Sequence, residues 1–383
     1  MIKEIAVKNF KLFREKIVFG DLKPINLLTG VNGRGKSSFL QLLLIPKQTI
    51  LSDLQTKDLL LDGEYVRLGS SMDVKNVEAR REETVDFTYK EADKVAHLYY
   101  NIDEAKKQIL SFASVQLKEG EQVTAIDISS FNELCVRYGY SFDNIQYISA
   151  ERIAPQLYYP VTERERYIGA KGEYTVSLIN THKNDPVSEE YLELLIDLFP
   201  ELNREELSSN LVDQIEFWMS KMFKKTTIQT QFVDEANVVT LKISTSQHIN
   251  DRFKPTNVGF GYTYILPIVV AGLTAKSGDI IVVENPEAHL HPSAQAMIGR
   301  FLAVISKLGV QLFVESHSEH ILNSFRVCIK QGHLRSNDLN VLFFEDDNPH
   351  YFRKVEIDHN GRIEEWPRYF YDQEEQDLDI LTS

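Results

Sequence analysis

The segment Gly30-Val31-Asn32-Gly33-Arg34-Gly35-Lys36-Ser37 sets a glycine, four residues and then Gly-Lys-Ser in line, a spacing suited to holding phosphate. Small residues let backbone N–H groups curl around phosphate oxygens, and the start of a following helix adds positive potential. In that role Lys36 reaches the β and γ phosphates of ATP and Ser37 holds Mg2+, while Gly30, Asn32, Gly33, Gly35 and Ser38 line the phosphate path. The partner groups lie far downstream. Ile280-Ile281-Val282-Val283-Glu284 is an apolar strand pattern ending in a carboxylate, placed where a Walker B residue holds the magnesium water shell. Asn285-Pro286-Glu287-Ala288-His289-Leu290-His291-Pro292 follows directly. After the next apolar run, Glu315-Ser316-His317-Ser318 puts an imidazole at a strand's carboxyl end, where ligands bind in open αβ sheets.

Other reactive groups carry less. His289 with His291, and His317 with His320, have spacings easily met by chance, and no cysteine or acidic set completes a zinc-like site. No metal beyond magnesium is expected, and His320 reads as a packed histidine one turn into the next helix. Glu151 and Arg152 close another strand and suit the nucleotide site, an interface or a structural ion pair. Asp73, after Leu68-Gly69-Ser70, reads as part of a surface turn.

These groups need elements to position them. Ile2 to Val7, Lys16 to Phe19 and Ile25 to Thr29 read as short strands, the third running into the glycine turn. From Lys36, the spacing of Phe39, Leu40, Leu43 and Leu44 predicts a helix that Pro46 should stop. Alternating runs between Glu83 and Ile128 predict an antiparallel meander, an inserted β-lobe at about residues 77–145. Glu189 to Leu198 and Arg204 to Phe223 read as helices of a helical insertion at about 185–225. Past Lys254, strands alternate with helices: Tyr262 to Leu273 helical, Ile280 to Val283 strand, a helix after Pro292, Val310 to Val314 strand, then a helix to Lys330. That order implies an α/β fold whose parallel sheet is covered on both faces. Val341 to Glu345 and Tyr351 to Ile357 flank Asp346-Asp347-Asn348-Pro349 as a hairpin, and the acidic tail from Asp372 reads as loose, completing a region of about 338–383.

Composition bounds the partners. Hydrophobic residues make up 43% and charged residues 26% of the 383, enough for a full core, and no apolar run approaches a membrane span. A cytoplasmic protein with no membrane contact is expected. Cys135 and Cys328 form neither a disulfide framework nor a zinc pattern. The formal net charge of −14 argues against a surface that is basic all over. Contact with nucleic acid would need a local patch, for which Arg80-Arg81, Arg164 with Arg166, and Lys221 with Lys224-Lys225 are candidates.

Val7-Lys8-Asn9-Phe10-Lys11, the phosphate loop, the Glu284 to Pro292 run and the Glu315 to His320 segment together resemble the ABC-type ATPases of the overcoming-lysogenization-defect and Rad50-like group. Tyr147 to Arg152, Gly172-Glu173-Tyr174 and Glu365-Trp366-Pro367 resemble a bacterial branch of it, and the likeness spans nearly the whole chain. The resemblance implies one ABC-type head over residues 1–383, with a mixed or parallel sheet flanked by helices. Two such heads would sandwich ATP as a homodimer or higher oligomer, each phosphate loop facing Gly259 and Gly261 of the other. The usual signature serine is absent there, with Asn257 the nearest substitute. His317 resembles the switch histidine that contacts the γ-phosphate. Glu284 takes the usual aspartate position and Asn285 that of the catalytic glutamate, yet an asparagine cannot act as a general base. Glu287 is therefore expected to polarise the attacking water and Asn285 to orient it, with slow hydrolysis. In that branch the ATPase serves antiphage defence or DNA processing beside a separate nuclease or toxin, as in Septu-like systems. A non-hydrolysing ATP-dependent scaffold restraining a toxic effector is the alternative.

Overall fold

The computed structural model describes residues 1–52, 56–80, 82–102, 108–223, 225–245, 252–345 and 351–382. Arg81, Lys224 and the turn Asp346 to Pro349 lie outside the described residues. The three opening strands form as β1 (Ile2–Lys8), β2 (Ile17–Gly20) and β3 (Ile25–Gly30), and β3 leads through the glycine turn into helix α1 (Lys36–Leu51). Pro46 does not stop this helix. A proline at position 46 removes the N–H that would bond the Leu42 carbonyl. The buried Tyr89 hydroxyl donates to that oxygen at 2.7 Å, so the helix continues without an orphaned acceptor.

Next come β4 (Leu59–Leu60), the single turn α2 (Ser71–Val74), and the meander β5 (Val85–Glu91), β6 (Lys94–Asn101), β7 (Ile109–Glu119) and β8 (Gln122–Ile126). Strand β5 pairs with β1, so the meander and the chain's first strands make one antiparallel sheet, ordered β2-β1-β5-β6-β7-β4 with β8 on β7. Helix α3 (Phe131–Tyr138) leads to β9 (Ile145–Ile148) and β10 (Tyr159–Pro160), then to α4 (Thr175–His182), α5 (Glu189–Leu198) and α6 (Leu211–Met222). Helix α6 starts later than the sequence pattern suggested. Residues 204–207 form local turns instead, and 209–211 lie along the stretch before α5, with Val187 N bonded to Ser209 O at 2.8 Å and Leu211 N to Asp185 O at 2.9 Å. The Asn210 amide and the Ser208 hydroxyl both donate to Asp213, polar side chains that compete with helical backbone bonds. Strands β11 (Thr227–Val233) and β12 (Val238–Ser244) form a small sheet with β10.

The remainder alternates: α7 (Phe260–Thr274), β13 (Ile280–Glu284), α8 (Pro292–Lys307), β14 (Gln311–Glu315), α9 (Glu319–Lys330), β15 (Leu339–Phe344), β16 (Phe352–Val355) and α10 (Gln373–Thr382). The central sheet runs β16-β15-β3-β14-β13-β9, parallel except for β16. Its alternating residues divide two cores. Leu27, Ile281, Val283, Leu312 and Val314 pack into the core that also takes in α5, α6, α8 and α9. Leu28, Ile280, Val282 and Phe313 face α1 and the antiparallel sheet. Burial on both faces explains the unbroken apolar runs in β13 and β14, and α1, caught between two sheets, is buried almost all round, its polar Lys47, Gln48 and Thr49 included. The acidic tail is a helix rather than loose chain. Gln376 N bonds Asp372 O at 3.0 Å, and acidic residues at a helix start favour its dipole.

Candidate nucleotide site

The carboxyl ends of β3, β14 and β13 lie side by side, and the residues singled out for phosphate chemistry gather there. In the glycine loop, Gly30, Gly33 and Gly35 have φ of 117°, 76° and 107°, a region that side chains rarely adopt. A Cβ on Gly30 would stand 2.1 Å from the Phe344 carbonyl oxygen, and one on Gly35 2.8 Å from the Phe13 ring. Val31, Asn32, Gly33 and Arg34 are exposed at the loop's crest, and Ser38 is buried in the first turn of α1. Lys36 is buried, and its Nζ bridges the loop by donating to Gly30 O at 2.8 Å and Val31 O at 2.9 Å. Burial pulls its pKa below the usual lysine value, against the pull of the Glu315 carboxylate.

Glu284 ends β13 and is the ladder partner of Glu315, which ends β14. Ala150 N donates to Glu284 Oε2 at 3.2 Å. Burial pushes the Glu284 pKa up, with the Ala150 and Tyr147 hydrogen bonds and the Arg152 charge opposing it. Glu315 is pushed up to about 7, chiefly by burial and then by the Glu284 charge. Ser37 is exposed, and its Oγ donates to Glu315 Oε2 at 3.5 Å. A hydroxyl beside carboxylate oxygens is the hard donor set that Mg2+ prefers, so Ser37 and Glu284 fit the ion.

Asn285 has φ 44°, in the left-handed region, and its N–H donates to Glu315 O at 2.8 Å. The buried Arg152 grips the same strand end, donating from Nη2 to Glu284 O at 2.5 Å and from Nη1 to Asn285 O at 3.2 Å. Arg152 thus clamps two backbone carbonyls, while Glu151 pairs with Lys171 at 3.0 Å. Glu287 accepts from His317 N at 2.7 Å and from Ser316 Oγ at 2.8 Å, which ties the turn after β13 to the turn after β14. The His317 ring is exposed, and burial of its ring edge, then the Lys36 charge, lower its pKa. His320 is also exposed, as the second residue of α9, so it is not a core histidine.

Gly259 is the exposed residue that opens α7, and Asn257 is exposed just before it. Gly261 is buried with its Cβ position 2.9 Å from His289 O, so its smallness serves packing of α7 against the turn after β13. Helix α7 packs on β9 and β13, on the far side of β14 from the glycine loop. Asp73 accepts from Ser70 N and Oγ at 2.7 Å each in a surface capping turn. Among the basic candidates, Arg166 pairs with Asp279 at 2.7 Å, Lys221 with Glu201 at 3.0 Å, and Arg164 lies over the Tyr167 ring.

Two contributors carried no assigned role in the sequence reading. Glu315 ends an apolar strand in a carboxylate as Glu284 does, a parallel visible in the sequence. Tyr371 has no such local sign: its hydroxyl meets Thr29 Oγ1 at 2.7 Å and donates to Ser316 O at 3.4 Å, from the chain's last segment.

Fold and site together define an ABC-type ATPase head. A solved SMC head bound to the C-winged helix domain of ScpA shares this fold at TM-score 0.50 and 11% identity, over 92% of this chain and 97% of that chain. An SMC head domain from Thermotoga maritima is similar at TM-score 0.41 and 10% identity, over 93% and 99% of the two chains. A Pyrococcus furiosus Smc head with an extended coiled coil, bound to the C-terminal domain of ScpA, is similar at 0.48 and 11%, over 100% and 99%. The chain belongs to the AAA ATPase domain family, whose profile matches residues 1–166 and 51–322. A second family, described as a protein of unknown function, matches residues 334–381. No functionally curated protein matches. Among the described residues, no helix is long and apolar enough to cross a membrane.

Proposed function

We propose that ATP, held at Gly30, Asn32, Gly33, Gly35, Lys36, Ser37 and Ser38, joins two copies of this head, and that the joined state controls a separate effector. One observation carries the reading: the crest of the glycine loop and the start of α7 are both exposed at the strand-end side of the central sheet, yet stand over different strands. A single head therefore leaves both half-covered, and a second head would bring its exposed Gly259 to the first head's phosphates, with the buried Gly261 packing α7 behind it. Ser37 and Glu284 would hold the Mg2+ that accompanies ATP, and the ion would neutralise phosphate charge. Lys36 would turn from the loop carbonyls to the phosphates. His317 would meet the γ-phosphate, Glu287 would polarise water, and Asn285 would orient it.

Hydrolysis is expected to be slow, because Glu287 shares its carboxylate between Ser316 and His317 and the residue after Glu284 is an amide. That pair of features also favours a second reading, a scaffold that ATP assembles without turnover and that restrains a toxic effector. A solved SMC head carries a bound protein domain, and a protein partner, a nuclease or toxin in antiphage defence or DNA processing, suits this chain too. Ion pairing of Arg166 and Lys221 within the chain favours routing any nucleic-acid chemistry through that partner.

Light scattering with and without ATP and Mg2+, run beside a steady-state phosphate-release assay, tests both readings. ATP should double the particle mass for the natural chain and leave Lys36→Ala unchanged. Unchanged mass while nucleotide binds sinks the dimer, and assembly without phosphate release selects the scaffold.

A further inference from the structure

At the strand-end edge, Glu315 is 8% exposed, a level at which an ionised carboxylate ordinarily has a cation or several donors. Among the described residues its side chain receives one hydrogen bond, the long 3.5 Å contact from Ser37. Lys36, whose charge reaches Glu315, gives two of its three donors to Gly30 O and Val31 O and makes no hydrogen bond to the carboxylate among the described residues. Across the ladder stands Glu284, a like charge, and Glu287 adds another nearby. The buried guanidinium of Arg152 is turned to the backbone carbonyls of Glu284 and Asn285. The edge thus holds more buried negative charge than its own cations answer. Two like carboxylates are rarely kept side by side unless a shared proton or a shared cation lies between them.

Resting on the ATP-binding reading above, we propose that Glu315 is a second carboxylate of the magnesium site, acting with Ser37 and Glu284 on the ion that ATP brings. Two anionic groups in place of one raise the site's preference for a divalent ion over a monovalent one. They also repel phosphate that arrives without its metal. The site consequently selects the metal–nucleotide complex rather than free ATP.

The test uses the full chain, a non-hydrolysable ATP analogue, and Mn2+ as a paramagnetic stand-in for Mg2+. Electron paramagnetic resonance counts free Mn2+ in the presence of protein and analogue, and a second titration measures the analogue in EDTA. Glu315→Gln should weaken Mn2+ in the ternary complex by ~10–100-fold, the range for losing a supporting group at a metal site. Metal-free analogue should bind Glu315→Gln at least as tightly as the natural chain, because a charge facing the phosphates has gone. Mn2+ affinity within about 2-fold of the natural chain, with the analogue bound, overturns the assignment. Should Glu315→Gln not fold, Glu315→Asp is read the same way: its shorter carboxylate should weaken Mn2+, and unchanged affinity overturns the proposal. A natural chain that binds no analogue under either condition refutes the ATP reading itself, a result separate from any effect at position 315.

Discussion

Replacing Arg152 with lysine keeps the positive charge and removes the fork. In the native head the two terminal nitrogens reach separate carbonyls, Glu284 O at 2.5 Å and Asn285 O at 3.2 Å, from a side chain that is 3% exposed. A lysine ammonium lacks the planar fork whose two nitrogens reach these acceptors separately, and one of the two bonds is expected to be lost. The lost bond comes from a charged donor, worth ~1.5–3 kcal/mol, and it leaves a part-buried carbonyl without that donor. The guanidinium also lies over the Tyr264 ring at 5.9 Å, a contact worth at most ~1 kcal/mol at that separation. Together these give an expected loss of about 2–4 kcal/mol for Arg152→Lys, mostly from the unpaired carbonyl. Asn285 gains the most freedom, because its left-handed φ of 44° is held from both sides, by Arg152 on its carbonyl and by Glu315 on its N–H. Urea denaturation followed by circular dichroism measures the loss, and hydrogen exchange should show faster opening over residues 285–290. Nucleotide affinity should stay near that of the natural chain, because Arg152 makes no hydrogen bond to the glycine loop among the described residues. An Arg152→Lys protein within ~0.5 kcal/mol of the natural stability, with unchanged exchange in that turn, would refute the clamp.

The remaining predictions concern hydrolysis and the helix that carries Lys36. Glu287→Gln should retain ATP binding and lower turnover by ~10²-fold or more, the scale on which a general base contributes, while Asn285→Ala should lower it less; unchanged turnover in Glu287→Gln removes Glu287 from the reaction. Tyr89→Phe should cost ~1–3 kcal/mol by orphaning the Leu42 carbonyl, and much less when combined with Pro46→Ala, which restores a backbone donor. Equal costs in the two backgrounds, read from urea midpoints, would show that the hydroxyl does not stand in for the missing N–H.

The parts of this head that could be read from sequence are those governed by neighbours along the chain. The glycine loop carries its own backbone geometry, and β13 and β14 announce themselves as apolar runs because both faces are covered. The helix after the loop was legible at its start and misjudged at its end, because the hydroxyl that rescues Pro46 sits 47 positions away from Leu42. Arg152 showed only as the last charge of a strand, since the carbonyls it grips lie 132 and 133 residues further on. In the small β10-β12-β11 sheet, the two-residue β10 has no periodicity to detect, and β11 buries none of its seven residues, so no apolar face marks it. Tyr371 is the extreme case, bonding Thr29 across 342 residues. Register and distance of that kind are properties of the packed molecule, and no window along the sequence contains both partners.

The place of β3 in the sheet has a consequence for how the chain is made. It leaves the ribosome long before both its neighbours, β14 and β15, and the Asn26 side chain waits for Leu312 across 286 residues. At ~5–20 residues per second, roughly 15–60 s pass before the strand that bears the glycine loop is hydrogen-bonded on either edge. During that interval the nascent chain carries an open, apolar strand and a loop not yet braced by Phe344. ATP binding therefore cannot guide the early steps of synthesis.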